Sequence, residues 1–373
     1  MGITQRSQSI TVDCKDKSVD ALPVYDLVGT PYEMGFHLGA VDRVNIQRIL
    51  SHHVDLATWA GGTLVDPVSL TVDSQIFWGL DGLAELRGMA DGAEVPLENL
   101  MYHNLQMYAV GACSHFAGRF RCSGRFVHGA NIDVPVSLLL KDSMRYHVQR
   151  RFPNGGVPSV VPGMAGFLGS IGGVNKAGLF VSSSMLLDAP QPKRLDGTLH
   201  SVILTRLLDN CRTLEEAARF LSVVNGWGGW AVAVSVPKEG RVVYAEYQGK
   251  QTKFSALKDI FICSNHVRLF SVGNIPDHSR YRLERLEKLL KPDEKTGIFL
   301  GTTEPDTVLF DRFNPTKGTE TRFRTMSTIF RGDHVVSLMA DSTGSCRFAL
   351  TRDAEHGRFT SEIDLDAFSV TTK

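Results

Sequence analysis

Gly111-Ala112-Cys113-Ser114-His115 is the stretch on which the reading of the fold turns. Before it the chain reads helical. After it, short apolar runs alternate with glycines and polar turns. Upstream, Thr30-Pro31-Tyr32-Glu33 carries a capping box with proline at the first helical position. Met34, Leu38, Val41, Ile46, Ile49 and Leu50 then recur at roughly helical spacing. A second helix is read over 83–89, ending near Asp91-Gly92, and a third from just after Pro96 through Leu100 and Leu105. Gly35 and Gly39 lower the helical propensity of the first of these, and glycines on helices point to close packing.

Downstream, strands are expected over 125–131, 167–174, 179–185, 230–236, 241–247, 260–264, 326–331, 335–339 and 347–350. Pro237-Lys238-Glu239-Gly240 reads as a hairpin turn, and so does Asn175-Lys176-Ala177-Gly178. Two helices interrupt the strands. Thr213-Leu214-Glu215-Glu216 opens one with a second capping box. Residues 279–290 form the other, with Leu283, Leu286, Leu289 and Leu290 on one face and arginines and glutamates opposite. Connections of hairpin length favour antiparallel pairing over crossovers. The expectation is one α+β unit with a helical N-terminal segment packed on it.

Composition narrows the function. The 373 residues hold 40 Lys+Arg and 40 Asp+Glu, so the formal net charge is zero. Neither a nucleic-acid partner nor an acidic tail fits that balance. Hydrophobic residues at 43% and charged residues at 21% exclude disorder for the bulk of the chain. No apolar run reaches the ~18 residues of a membrane span, and the polar N-terminus lacks the apolar core of a signal peptide. Cysteines stand at 14, 113, 122, 211, 263 and 346 without a CxxC pair. That is too sparse for a disulfide framework or a zinc site, so a reduced, cytoplasmic protein without metal or cofactor is expected. His52-His53 and His103 have no partner at metal-ligand spacing, and the glycine-rich stretch 163–178 lacks the Lys-Ser/Thr ending of a phosphate loop. Asn225-Gly226-Trp227-Gly228-Gly229-Trp230 reads equally as a pocket wall or as buried packing.

In such a protein a useful cysteine is a nucleophile. Cys113 has the distinctive position, at the change of texture and after two small residues. Around it stand His128-Gly129-Ala130-Asn131-Ile132-Asp133, then Gly172-Gly173-Val174-Asn175, then Ser264-Asn265-His266, then Ser279-Arg280-Tyr281-Arg282. Upstream lie Gly29-Thr30-Pro31-Tyr32-Glu33-Met34-Gly35 and Glu85-Leu86-Arg87-Gly88-Met89-Ala90-Asp91-Gly92.

In this order the motifs resemble the acyl-coenzyme A:6-aminopenicillanic acid acyltransferase family of N-terminal nucleophile hydrolases, over roughly residues 29–350. The resemblance implies a four-layer αββα sandwich and self-cleavage at Ala112–Cys113. The products would be a helical N-terminal piece, 1–112, and a catalytic core, 113–373. The two pieces would stay associated, with a homo-oligomer of that unit as a further alternative. It also implies roles for particular residues. Cys113 is the nucleophile. Asp133 holds its α-amine. Asn265 donates to the tetrahedral oxyanion. Arg280 is the arginine near the nucleophile, with Arg282 as its substitute if the register slips. Asn131 supports the same amine, and Ser184 is placed among candidate substrate-binding residues. Where the bile acid and penicillin V branch carries an arginine before the asparagine, this chain has Ala130, which argues against that branch's substrates.

The chemistry is coherent. Cleavage would give Cys113 a thiol and an amine on one residue, with reference pKa values near ~8.5 and ~7.7–8.0, so proton transfer between them is cheap at neutral pH. The amine then serves as general base without a histidine. The expected activity is hydrolysis of a linear small-molecule amide, an N-acyl amino acid or acylated amine, through a thioester. Three alternatives remain open. One is acyl transfer to an amine, for which no basic cluster offers a site for coenzyme A phosphates. Another is a Cys113–His266 thiol hydrolase that needs no cleavage, and the third is an uncleaved binding module.

Overall fold

A computed structural model describes residues 22–51, 74–106, 113–133, 145–189, 195–255, 259–271, 273–320, 327–329, 335–350 and 359–372. Cys14, His52, His53, Gly111 and Ala112 lie outside the described residues, as do residues 326, 330 and 331 of the strand expected over 326–331; residues 327–329 of it form a turn.

Two sheets carry the fold. The first orders β1 (Val24–Gly29), β4 (Tyr146–Pro153), β5 (Ser159–Met164), β6 (Gly172–Asn175), β7 (Phe180–Met185), β8 (Gly226–Val236), β9 (Arg241–Gly249) and β10 (Gln251–Phe254). The second is built on β2 (Ser114–Phe120) and β3 (Phe126–Asp133). It continues through β16 (Val335–Asp341), β17 (Ser345–Leu350), β18 (Ser361–Asp364) and β19 (Ser369–Thr372). On the other side of β2 it takes in β11 (Phe261–Cys263), β12 (Pro292–Asp293) and β13 (Ile298–Phe299). A two-stranded ribbon, β14 (Phe313–Asn314) with β15 (Thr319–Glu320), stands apart. Pairing is antiparallel except for β1 with β4 and β13 with β2.

Helices cover the outer faces. On the first sheet lie α1 (Pro31–Val41), α2 (Arg43–Ser51), α3 (Ser74–Ala93), α4 (Leu97–Gln106), α5 (His200–Asn210) and α6 (Leu214–Ser222). On the second lie α7 (Asp277–Leu290) and α8 (Pro305–Leu309), whose Leu286, Leu290, Val308 and Leu309 bury against Phe116, Phe120, Val127 and Phe299. This is the expected α+β, four-layer αββα sandwich. The N-terminal segment is not purely helical, because it supplies β1, an edge strand of the first sheet.

Local signals explain the helix starts. Thr30 caps α1 through Glu33 N–H while Glu33 caps Thr30 N–H, a complete box with Pro31 inside it. The second box is half made: Thr213 accepts from Glu216 N–H, but the Glu216 carboxylate turns to Arg212 N–H. α3 extends well beyond the expected 83–89 and breaks at Gly79, whose φ of 65° suits glycine. Of the strand expected over 167–174, only Gly172–Asn175 is extended.

The glycines on α1 and α3 form a reciprocal contact. A Cβ on Gly35 would lie 2.0 Å from the Glu85 carbonyl oxygen, and one on Gly39 2.3 Å from that of Met89. From the other side, a Cβ on Gly88 would meet Tyr32 O at 2.1 Å, and one on Gly92 would meet Phe36 O at 2.1 Å. Backbone thus rests on backbone, and neither helix can yield by rotating a side chain. Gly35→Ala is therefore expected to lower unfolding stability by about 3 kcal/mol through overpacking. Guanidinium denaturation measures this, and a change below about 0.5 kcal/mol would contradict so close a contact.

The interior between the sheets is partly polar. His128 joins Ser182 of β7 and Ser235 of β8, each at 2.8 Å, and His115 of β2 joins Ser182 at 3.0 Å. Burial holds both rings neutral, with His115 pushed down to about 3. Trp230 stacks on His200 with 3.8 Å between centroids and donates to Trp227 O, so both indoles belong to packing. Among the described residues, no helix is long and apolar enough to cross a membrane.

Candidate active site

Cys113 stands immediately before β2, 4% exposed. Its backbone N–H donates to Asn265 Oδ1 at 2.6 Å. Asn265 lies in the turn after β11 and is fixed on every side. Its own N–H donates to Ser279 Oγ at 2.8 Å, its carbonyl accepts Leu187 N–H at 2.9 Å, and Nδ2 donates to Met185 O at 2.9 Å. Ser279, at the start of α7, also meets Ser264 Oγ and His266 Nδ1 at 2.9 Å each.

Arg282, one helical turn beyond Ser279, completes the cluster. It is fully buried. Nη2 donates to the same Asn265 Oδ1 at 2.7 Å, and Nη1 donates to the Cys113 carbonyl and to Ser114 Oγ. One guanidinium therefore clamps both the residue and the asparagine that holds its nitrogen, which its planar fork suits. Asp133, at the end of β3, adds a backbone N–H to the Cys113 thiol and brings its carboxylate close.

Burial pushes the Cys113 thiol up; the Asp133 N–H, the Arg282 charge and Asn265 oppose this, while the Asp133 carboxylate adds to it. A thiol raised in this way needs a nearby base to become a nucleophile. His115 is not that base: burial and the Arg282 charge push its pKa down to about 3, too low to hold a thiol proton, and its Nδ1 is bonded to Ser182. His266 directs Nδ1 to Ser264 and Ser279 rather than to Cys113. The remaining described cysteines behave as expected of packing residues or surface groups. Burial raises Cys211 to about 11 and Cys263 to about 12, and raises Cys346 as well, while Cys122 is exposed.

The structure brings Cys113, Asp133 and Asn265 together and leaves others outside. Arg280 does not reach the cluster. It is solvent-facing, bridges Asp277 at 2.8 Å and Glu284 at 3.6 Å, and its place is taken by Arg282. Asn131 points to the other face of its sheet, donating to Leu309 O and Ile329 O and accepting from Ser337 Oγ, so it ties α8 down instead of supporting an amine. Ser184 donates to Ser264 O at 2.9 Å and braces the turn that carries Asn265. Asn175 is a turn residue, as expected, with bonds to Leu208 O and Cys211 O. Ser279 is the residue that sequence reasoning passed over. Its spacing of three from Arg282 placed both on one helix face, and that was the available signal. Among the described residues no group of three His, Cys, Asp or Glu could hold a metal ion.

The acyl-coenzyme A:6-aminopenicillanic acid acyl-transferase family model matches residues 124–343. No curated protein matches the sequence significantly. Among solved structures, the chain is similar to a Caenorhabditis elegans ortholog of N-acylethanolamine-hydrolyzing acid amidase, with 17% identity over 49% of this chain and 83% of that one, at a TM-score of 0.37. It is similar to penicillin V acylase from Agrobacterium tumefaciens, with 14% identity over 68% and 91%, at 0.36. It is also similar to a mutant of conjugated bile acid hydrolase from Clostridium perfringens, with 12% identity over 70% and 96%, at 0.40.

Proposed function

Because this chain belongs to the acyl-coenzyme A:6-aminopenicillanic acid acyl-transferase family, we propose that it is a self-cleaving cysteine amidohydrolase that works from the α-amine of Cys113. One observation carries the reading. The Cys113 backbone nitrogen, which cleavage would turn into an amine, already faces the buried Asn265 Oδ1 at 2.6 Å, and Arg282 pins the same oxygen at 2.7 Å. Any buried backbone N–H needs an acceptor; what sets this one apart is that the acceptor is a buried side-chain oxygen held in turn by a buried guanidinium.

Cleavage would begin with attack of the Cys113 thiol on the Ala112 carbonyl. The peptide bond becomes a thioester, and water then releases the 112-residue piece with a free amine on Cys113. In turnover the amine takes the thiol proton as Sγ attacks the substrate carbonyl. The amine returns that proton to the leaving nitrogen, and a thioester forms. Water, activated in the same way, frees the acid. We assign to Asp133, whose carboxylate is close enough to act on the Cys113 thiol, the steadying of the ammonium form. Asn265 Nδ2 gives one N–H to Met185 O, and its second is the candidate donor to the substrate oxyanion.

We assign the substrate to linear amides of modest charge. The balanced charge of the chain weighs against a phosphate-rich acyl donor, and a competition assay with a coenzyme A thioester tests acyl transfer directly. Intact-mass measurement tests the core of the proposal. Two pieces of 112 and 261 residues (373 − 112) are expected. A single chain that persists for days at neutral and mildly acidic pH would overturn it.

A further inference from the structure

Ser264-Asn265-His266 is a motif whose third member has no task in the chemistry proposed for Cys113. His266 is 6% exposed and lies in the turn after β11. Its Nδ1 is 2.9 Å from Ser279 Oγ, the oxygen that accepts Asn265 N–H at 2.8 Å. Ser264 Oγ is also 2.9 Å from that oxygen, and it donates to the Ser279 carbonyl at 2.9 Å.

Four short contacts thus meet on two serines, and each needs one hydrogen. A hydroxyl brings one hydrogen and two lone pairs. The Asn265 amide and the two hydroxyls bring three hydrogens, so the fourth comes from His266 Nδ1. Any other placing presses two bare acceptors together in a buried site. With Nδ1 protonated the pattern closes. Ser264 donates to the Ser279 carbonyl, and Ser279 donates to Ser264 Oγ. The two lone pairs of Ser279 Oγ then take Asn265 N–H and His266 Nδ1–H. The same Nδ1–H leans toward Ser264 Oγ, 3.2 Å away. Burial holds the ring below its ordinary pKa, against Asp188 and together with Arg268 and Arg282. At neutral pH the ring is therefore neutral and carries a single N–H, which leaves Nε2 bare.

We propose that His266 is a positioning residue for the reaction at Cys113: its Nδ1–H fills the last lone pair of Ser279 Oγ and so fixes the acceptor that holds Asn265. The inference rests on the assignment of Cys113 as nucleophile. It gives His266 no part in moving the thiol proton. With the imidazole N–H gone, Ser279 Oγ gains an empty lone pair and the freedom to turn about χ1, and Asn265 N–H loses a fixed partner. The rest of the turn keeps its own ties, Ser184 Oγ to Ser264 O and Val267 N–H to Asp188 Oδ1, each at 2.9 Å. Loss of His266 should therefore act on Asn265 and on rate. A displacement of ~1 Å at a reacting site is enough for a loss on the order of 10²-fold.

The test compares two substitutions of nearly equal shape, His266→Leu and His266→Asn, of which only asparagine offers an N–H near the place of Nδ1. His266→Leu should slow self-cleavage and amide turnover by about 10- to 100-fold, with KM within about threefold of the wild type. His266→Asn should recover both rates to within about fivefold of the wild type. Equal rates for the two variants would overturn the proposal: if both are fast the N–H is idle, and if both are as slow as Cys113→Ala the histidine is the base. Long-range proton–nitrogen NMR spectra of the uncleaved Cys113→Ala chain read the ring without needing cleavage or activity, the signal being assigned by its loss in Cys113→Ala/His266→Asn. Nδ1 should carry the hydrogen and Nε2 should be bare. Should His266→Leu fail to fold, this spectrum and the His266→Asn rates decide. A wild-type chain that never splits overturns the reading of Cys113 and this role with it. A chain that splits while its His266 is protonated at Nε2 overturns this role alone.

Discussion

Cys113→Ala is expected to yield a single 373-residue chain that never separates into two pieces and hydrolyses no amide. The loss in turnover should be on the order of 10⁴-fold or more, because the substitution removes the atom proposed to form the acyl-enzyme, and no other group in the cluster can replace it. Cys211, Cys263 and Cys346 are buried, with thiols raised by that burial. His115 and His266 are bonded to serines. Stability should change little, since Cys113 loses only one atom and its backbone N–H and carbonyl keep Asn265 and Arg282. That separation is what makes the variant decisive. Intact mass, circular dichroism and an amide-hydrolysis assay read cleavage, fold and turnover independently. A folded Cys113→Ala chain that still splits at Ala112–Cys113, or that keeps activity within about tenfold of the wild type, would remove Cys113 from its proposed role.

Much of the architecture was readable because its signals are local. Thr30, Pro31 and Glu33 set the start of α1 by hydrogen bonds within one turn, and Gly240 closes the β8–β9 connection with a φ of 68°. Strands whose burial comes from distant partners were harder. β4 alternates His147, Gln149 and Arg151 with Tyr146, Val148 and Arg150, which resembles a half-solvated strand or none. Those three polar residues are nonetheless buried. Arg151 pairs with Glu85 of α3, His147 lies 3.5 Å from Asp42, and Gln149 bridges them by contacts to both neighbours. A strand can carry polar groups on its covered face when the covering layer supplies partners, and hydropathy cannot anticipate partners more than sixty residues away.

The site shows the same division. Cys113, Asp133 and Asn265 sit at strand ends or turns, where backbone geometry fixes them, and their motifs located them. The leucine face of α7 was legible: Leu286 and Leu290 are buried and Leu283 and Leu289 pack against the same cluster. Grouping every arginine on the opposite face, however, points Arg282 toward solvent. The fully buried stripe is Ser279, Arg282, Leu286 and Leu290. The C-terminal half of that stripe rests on the apolar outer face of the second sheet. Its N-terminal half lies over the polar cluster at Cys113, so one continuous helix face changes chemistry midway. A hydrophobic criterion applied to the whole helix averages over that change and rotates the helix by about one residue.

Arg282→Met and Arg280→Met make the largest contrast that follows from this rotation. Methionine keeps most of the buried stem of Arg282 but removes the fork. Asn265 Oδ1, the Cys113 carbonyl and Ser114 Oγ then each lose a charged donor in a dry environment. Unmet buried acceptors of this kind should lower stability by about 3 kcal/mol. Asn265 would also be freer to turn away from the Cys113 nitrogen. Cleavage and turnover should therefore slow by a factor on the order of 10²–10³, the size seen when a preorganised donor is withdrawn from an acyl-transfer site. Arg282→Lys retains the charge but not the paired geometry and should recover stability better than rate. Arg280→Met removes a solvent-facing group whose ion pairs with Asp277 and Glu284 are exposed. It should leave the denaturation midpoint essentially where it is and change turnover by about twofold at most. Denaturation curves and the rate of appearance of the 261-residue piece measure both effects. If Arg280→Met proved as damaging as Arg282→Met, the clamp on Asn265 would not be what holds the site in order.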